Sequence, residues 1–156
     1  MSDRATTDTM LIVKEITLNA SRERVFKALT DPQELPQFWG EGVDRWEADV
    51  REGGRWQSSG AFPDGRDFSV RGTYLVVRPP TVVEMTVEHT GMGAVDTRVR
   101  YDLTQTDGLT RLRVTHSGFI DKQSRDHHSD GWDQILARMA TFVHGERLTG
   151  FAPTCD

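Results

Sequence analysis

Apolar and polar residues alternate with a period of two along most of the chain from residue 67 onward. This period places successive side chains on opposite faces of a strand, so it predicts half-buried β-strands. Turn sequences such as PDG and TDG separate the segments, and shorter segments of the same kind stand earlier. The predicted strands are residues 10–20, 43–50, 55–60, 67–77, 81–89, 94–103 and 109–119. Together they indicate a meander of antiparallel strands.

Two short helices are predicted directly after the first strand. Ser21 is well placed to cap a helix over residues 22–30. The next segment carries a helix-start signature, in which Asp31 is the N-cap, Pro32 is the first helical residue and Glu34 follows three residues after the cap. The second helix should therefore begin at residue 32 and last one or two turns.

The last predicted element has the period of a helix. Its N-cap is expected at Ser129 or Asp130, and it should stop near Gly145. Its apolar residues form one wide stripe: Trp132, Ile135, Leu136, Met139 and Val143. A helix this apolar needs a concave partner. The sequence thus predicts an α+β fold, in which a curved antiparallel sheet wraps around a long C-terminal helix, with two short helices after the first strand.

Composition and charge exclude some kinds of partner and cellular compartment. The formal net charge of the 156 residues is −5, and the 19 basic and 24 acidic side chains are mixed along the chain, which disfavours nucleic-acid binding. Cys155 is the single cysteine, so no intrachain disulfide forms and a reducing compartment is expected. No apolar run suits a secretory signal or a membrane span. We therefore expect a cytoplasmic protein without a membrane partner.

Four local sequences carry a family resemblance. They are FKALTDPQELPQFWG, REGGRW, RLRVTHSGF and, in the final helix, GW followed by IL and M. Their order and spacing resemble the START-like, helix-grip superfamily (SRPBCC), and within it the family named after the activator of the 90-kDa heat-shock protein ATPase. The resemblance implies a single START-like domain over residues 1–156, with an ordered core of about 10–146. It also implies a deep cavity between the sheet and the long helix, in which relatives hold hydrophobic small molecules.

His116 is the first candidate for the site. It stands in step with Leu112 and Val114, on the face of its strand that should be buried. In a hollow interior its imidazole would be a polar anchor for a small molecule. The alternative is a core histidine that packs under the long helix with its nitrogens hydrogen-bonded.

Further residues are expected to line the same cavity. His89 is in phase with Met85 and Val87, so it would point inward unless the register of the strand slips by one residue. Aromatic and methionine side chains are candidate walls, although such residues fill cores as well. These candidates are Trp39, Trp56, Phe62, Tyr74, Met85, Trp132 and Met139.

Other chemistry is weakly supported. The segment DHHSD at residues 126–130 places its histidines next to each other, where they diverge, so it is interpreted as a polar approach to the helix rather than a metal site. Arg98 and Arg100 are out of phase with the buried positions and should pair across strands with acidic residues in solvent. Arg71 is similarly out of phase and is given no role. The known nucleophile and phosphate-loop motifs do not occur. We therefore expect no metal, no cofactor and no dedicated catalytic residue.

The function that these patterns favour is binding of a small hydrophobic molecule in the sheet–helix cavity, with His116 and His89 as polar anchors. A second hypothesis is a co-chaperone-like protein-interaction module. A third is a cyclase or hydrolase acting on a hydrophobic substrate, with the two histidines as acid and base. A homodimer and a chaperone remain open as partners, and whether the protein is an enzyme remains open too.

Overall fold

The predicted meander forms a curved antiparallel sheet. In this computed structural model the described residues are 11–39, 43–61, 64–90, 96–119 and 121–147, without the side chains of residues 44, 89, 90, 96 and 145–147. The strands are β1 (Ile12–Leu18), β2 (Val43–Ala48), β3 (Arg55–Ala61), β4 (Asp67–Arg78), β5 (Val82–Thr90), β6 (Asp96–Thr106) and β7 (Leu109–Ser117). Their order in the sheet is β1-β7-β6-β5-β4-β3-β2, so β1 and β2 are its edges.

The helices that follow β1 are short. α1 (Arg22–Thr30) begins as predicted, because Ser21 Oγ accepts a hydrogen bond of 3.1 Å from the Arg24 N–H. α2 (Leu35–Phe38) is one turn long. The two short helices lead the chain from β1 to β2 at the opposite edge of the sheet.

The predicted start of α2 was wrong by three residues. Asp31 ends α1, since its backbone N–H donates to the Lys27 carbonyl at 2.8 Å. Its side chain does cap the turn that precedes α2, because Oδ1 accepts a hydrogen bond of 2.8 Å from the Gln33 N–H. A capping box needs the Asp31 N–H to be available for Glu34. The carboxylate of Glu34 instead pairs with Arg24 at 2.8 Å, and α2 begins after it.

The last helix, α3 (Lys122–Arg147), begins earlier than predicted. Asp121 Oδ1 accepts a hydrogen bond of 2.7 Å from the Ser124 N–H, which satisfies a first-turn donor. Residues 126–130 therefore lie inside the first turns of the helix, and neither Ser129 nor Asp130 is a cap. The interpretation of DHHSD as a polar approach to the helix was wrong for this reason.

The apolar stripe of α3 packs into the concave face of the sheet. Trp132, Leu136, Met139 and Val143 are each at most 5% exposed. Facing side chains of the sheet are equally buried, and they include Tyr74, Val83, Met85, Val99, Tyr101 and Val114. The α+β helix-grip fold predicted from the sequence is confirmed. Within the described part of the chain, no helix is both long and apolar enough to cross a membrane.

The outer face of the sheet carries ion pairs. Arg98 and Arg100 both reach Glu84, at 3.5 and 3.1 Å, and Arg71 lies 3.7 Å from Glu88. These pairs join neighbouring strands where the side chains contact solvent. The prediction that Arg98 and Arg100 pair with acidic residues in solvent is confirmed.

The ladder between β4 and β5 is interrupted at Gly72. Thr73 N–H donates to the Thr86 hydroxyl at 2.9 Å instead of to a carbonyl. Trp56 stands opposite Gly72 in the sheet, and its indole N–H donates to the Thr86 carbonyl at 3.2 Å. Gly72 has no side chain, and the indole therefore lies across it to reach this carbonyl. The arrangement anchors Trp56 on the concave face.

Candidate functional site

The imidazole of His116 lies between the sheet and α3 and is 3% exposed. Its Nδ1 accepts a hydrogen bond of 2.9 Å from the indole N–H of Trp132. Its Nε2 lies 2.8 Å from the hydroxyl of Thr97 on β6. An indole N–H only donates, so Nδ1 carries no proton and the neutral Nε2–H tautomer donates to Thr97. His116 thereby connects β6, β7 and α3 through both ring nitrogens.

This geometry corresponds to the hydrogen-bonded core histidine that the sequence left open as an alternative. A role of His116 in ligand binding stays a prediction. The ring also packs against Phe119 and His128, with centroids 4.5 and 5.6 Å away. His116 therefore holds Trp132 in a fixed orientation at the centre of the concave space.

Replacing His116 tests this structural role. We expect His116→Phe to lower the free energy of unfolding by about 2 kcal/mol, because it leaves the Trp132 N–H and the Thr97 hydroxyl buried without their partner. Urea denaturation followed by circular dichroism measures the change. His127→Phe is the matched control, since His127 is exposed on α3 and its replacement should change stability by less than about 0.5 kcal/mol. Equal effects of the two substitutions would contradict the assigned bridge.

All four tryptophans of the chain form one continuous set of ring contacts, which we name the tryptophan cluster: Trp39, Trp46, Trp56 and Trp132. Trp56 stacks on Trp46 with centroids 5.2 Å apart. Trp39 meets Trp46 edge-on at 5.4 Å and Trp132 edge-on at 5.5 Å. The cluster therefore runs from β3 through β2 and the end of α2 to α3.

Trp39 is half-buried, whereas the other three tryptophans of the cluster are buried. Its backbone follows α2 directly and is fixed by Arg138 on α3. The Arg138 guanidinium donates to the carbonyls of Phe38 and Trp39 at 2.9 and 3.2 Å, satisfying acceptors at the end of α2. Arg138 thus holds Trp39 at the margin of the concave space.

Most of the other predicted wall residues share this space. Tyr74, Met85 and Met139 are each at most 2% exposed on the facing surfaces of the sheet and α3. The side chain of His89 and the whole of Phe62 lie outside the described residues. Their assignment to the site stays a prediction.

The sequence analysis missed Trp46, Thr97 and Tyr101 as members of the site. Trp46 and Tyr101 stand in phase with buried neighbours, so alternation alone could have indicated both. The Thr97 hydroxyl became relevant because its strand pairs with β7 and brings it to His116. That contact depends on register, which the pattern of one strand does not give.

Two buried polar atoms of this space have no hydrogen-bond partner among the described residues. They are the hydroxyl of Tyr101 and the indole N–H of Trp46. The Tyr101 ring packs edge-on against Trp132 with centroids 6.1 Å apart. Burial, with a smaller effect of the neighbouring Tyr74, raises the pKa of Tyr101 above its ordinary value. Burial raises the pKa of Tyr74 to about 12.

The described side chains pack closely in the concave space, and the deep cavity that the resemblance implies is not seen among them. Val99, Tyr101 and Met139 are at most 1% exposed. Pockets that the described residues line lie elsewhere, including one of about 520 Å³ on the outer face beside Arg111 and one of about 410 Å³ between α2 and α3 beside Phe142. The described residues also contain no group of three or more His, Cys, Asp or Glu side chains that could hold a metal ion.

Comparison with known proteins identifies the family. The family model described as activator of Hsp90 ATPase homolog 1-like protein matches residues 19–144. The chain belongs to this family. The resemblance predicted from the sequence is thereby confirmed, and the matched range runs from just before α1 through most of α3. No curated protein matches the chain.

Solved structures show the same fold for this Hsp90-activator-like chain. Protein CV1439 from Chromobacterium violaceum is 25% identical, with a TM-score of 0.77, covering 86% of this chain and 96% of that one. Protein NE0264 from Nitrosomonas europaea is 18% identical, with a TM-score of 0.76 and coverage of 89% and 97%. CalU16 from Micromonospora echinospora is 22% identical, with a TM-score of 0.68 and coverage of 86% and 74%.

Proposed function

We propose that the protein binds a small hydrophobic molecule between the sheet and α3, against the tryptophan cluster. The observation that carries the proposal is the continuous set of ring contacts from Trp56 to Trp132 on the concave face. Indole rings combine a large apolar surface with a polar handle, which is the composition of small-molecule sites. Membership of the family supports the proposal, because the resemblance implies that relatives hold hydrophobic small molecules between the sheet and the long helix.

Trp39 is the proposed point of entry. The concave space is filled by side chains, so a ligand has to separate packed rings before it can bind. Trp39 is half-buried and contacts both Trp46 and Trp132 edge-on. Its rotation would expose both of those rings, while Arg138 keeps the backbone of α2 in place.

The alternatives from the sequence gain no supporting observation. A cyclase or hydrolase would use His116 as an acid or base, but Trp132 and Thr97 engage both of its nitrogens. Proton transfer would first break one of those buried hydrogen bonds. The co-chaperone-like module has no feature of the described surface in its favour.

Chemical-shift mapping tests the proposed function. Titration of the uncharged probe N-phenyl-1-naphthylamine should shift the indole signals of Trp39 and Trp132 in proton–nitrogen spectra, saturating at one probe per chain. The amide signals of Thr104 and Arg111 should not move, because they border pockets on the outer face. No shift at probe saturation, or shifts confined to Thr104 and Arg111, would refute binding in the concave space.

Neighbouring residues of β6 offer a matched pair of variants. Val99 points into the concave space and is 1% exposed, whereas Arg98 is exposed on the outer face. Val99→Phe should weaken probe binding by occupying the space, and Arg98→Phe should leave it unchanged. Circular dichroism confirms that both variants are folded before binding is compared.

A further inference from the structure

The polar groups in and beside the tryptophan cluster differ in whether they have a hydrogen-bond partner. Trp56 donates to the Thr86 carbonyl and Trp132 donates to His116, so these two indole N–H groups are satisfied within the fold. The N–H of Trp46 and the hydroxyl of Tyr101 are buried without a partner among the described residues. Native interiors pair nearly all such groups, so each exception calls for a physical reason.

The Trp46 N–H and the Tyr101 hydroxyl are both hydrogen-bond donors. An indole N–H donates and cannot accept. A phenol hydroxyl keeps its proton at neutral pH, and burial of Tyr101 strengthens this preference. The atom that would satisfy Tyr101 or Trp46 is therefore a hydrogen-bond acceptor.

The same space is unsuited to a charged ligand. The buried polar residues that the structure describes are Thr30, Ser58, Thr97, Thr110 and His116, and no lysine or arginine is among them. The Arg138 guanidinium at the margin of the space donates to the carbonyls of Phe38 and Trp39. Nδ1 of His116 accepts from Trp132, so this atom offers no donor to a ligand. A buried carboxylate without a cation nearby is strongly disfavoured, whereas a ketone or ester oxygen needs one hydrogen bond.

We infer that the ligand is an apolar molecule carrying an uncharged oxygen acceptor, such as a ketone, an ester or a quinone, and that the hydroxyl of Tyr101 donates to this oxygen. The inference rests on the proposed function, because it names the chemistry of the molecule bound in the same space. The apolar body of the ligand packs on Trp39 and Trp132. The N–H of Trp46 is a second donor, on a ring that also meets Trp39 edge-on.

Three rigid molecules of nearly equal shape test the inference. Fluorene has no polar atom, carbazole has an N–H donor in the same ring position, and 9-fluorenone has a carbonyl acceptor there. Isothermal titration calorimetry on the full chain should give 9-fluorenone about tenfold tighter binding than fluorene, the factor expected of one buried hydrogen bond. Carbazole and fluorene-9-carboxylate should bind no more tightly than fluorene.

Removal of the Tyr101 hydroxyl completes the test. Tyr101→Phe should reduce the affinity for 9-fluorenone to that for fluorene, while the affinity for fluorene stays unchanged. Tyr74→Phe is the matched control and should keep the tenfold preference, since Tyr74 is buried on the same face but its hydroxyl is not one of the buried atoms without a partner.

The outcomes separate the inference from the proposed function. Equal affinity for fluorene and 9-fluorenone would overturn the inference and leave hydrophobic binding standing. Tighter binding of the carboxylate, or a preference that survives Tyr101→Phe, would overturn it as well. If no probe binds and no indole signal shifts, both the inference and the proposed function fail.

Discussion

Gly72→Ala should lower the free energy of unfolding by more than about 3 kcal/mol, the largest effect that we expect of a single substitution here. A Cβ built on Gly72 would lie 1.8 Å from the Thr86 carbonyl oxygen and 2.6 Å from Trp56 Nε1. The carbonyl belongs to the backbone of β5, so it cannot move without separating β5 from β4. The Trp56 indole would also lose its hydrogen bond to that carbonyl, and the tryptophan cluster would lose its anchor at β3.

Gly131→Ala is the matched control for this prediction. Gly131 lies inside α3, and a Cβ there has no other atom within 4 Å. Alanine is the better helix former, so the control should gain up to about 1 kcal/mol. Urea denaturation of both variants, followed by tryptophan emission, measures the difference. Wild-type stability of Gly72→Ala would show that the Trp56 indole does not lie across this glycine.

The order of elements could be predicted from the sequence because each depends on local periodicity. The alternation from residue 67 onward indicated β4 to β7, and the stripe from Trp132 to Val143 indicated α3. The starts of α2 and α3 were wrong because a cap depends on which backbone donor is still available. Asp31 N–H was already used by α1, and the effective cap of α3 was Asp121, upstream of the apolar stripe.

The candidate site was predictable only where one strand or helix determines it. The phase of β7 indicated that His116 points inward, and the structure has it buried. Its partners could not be predicted, because Thr97 and Trp132 lie 19 and 16 residues away and meet it through strand register and helix packing. That the Tyr101 hydroxyl has no partner among the described residues could not be predicted either, because it depends on how the whole interior packs.

The second large effect is expected at high pH, where stability should fall steeply above about pH 10. The chain has two tyrosines, Tyr74 and Tyr101, and both are buried on the concave face. In the unfolded chain they lose their protons near pH 10. In the folded protein burial raises the pKa of Tyr74 to about 12 and that of Tyr101 above its ordinary value, so both stay protonated.

The sign of the effect follows from this difference in proton binding. The stability due to a raised pKa is fully present below the unfolded value and is lost as the pH rises through the folded value. Between about pH 10 and pH 12 each protonated tyrosine should therefore reduce the free energy of unfolding by about 1.4 kcal/mol per pH unit. For Tyr74 alone the loss over this range is roughly 3 kcal/mol, and Tyr101 acts in the same direction.

Phenylalanine variants separate the contributions of the two tyrosines from those of any other groups that lose protons at high pH. Urea denaturation at steps of pH gives the slope of stability for the wild type, and Tyr74→Phe and Tyr101→Phe should each remove one tyrosine's share of it. Tyrosinate absorbance should appear together with the loss of helical circular dichroism, because the buried hydroxyls ionise when the chain unfolds. A folded protein that develops tyrosinate absorbance near pH 10 would contradict the burial of these hydroxyls, and with it the donor role inferred for Tyr101.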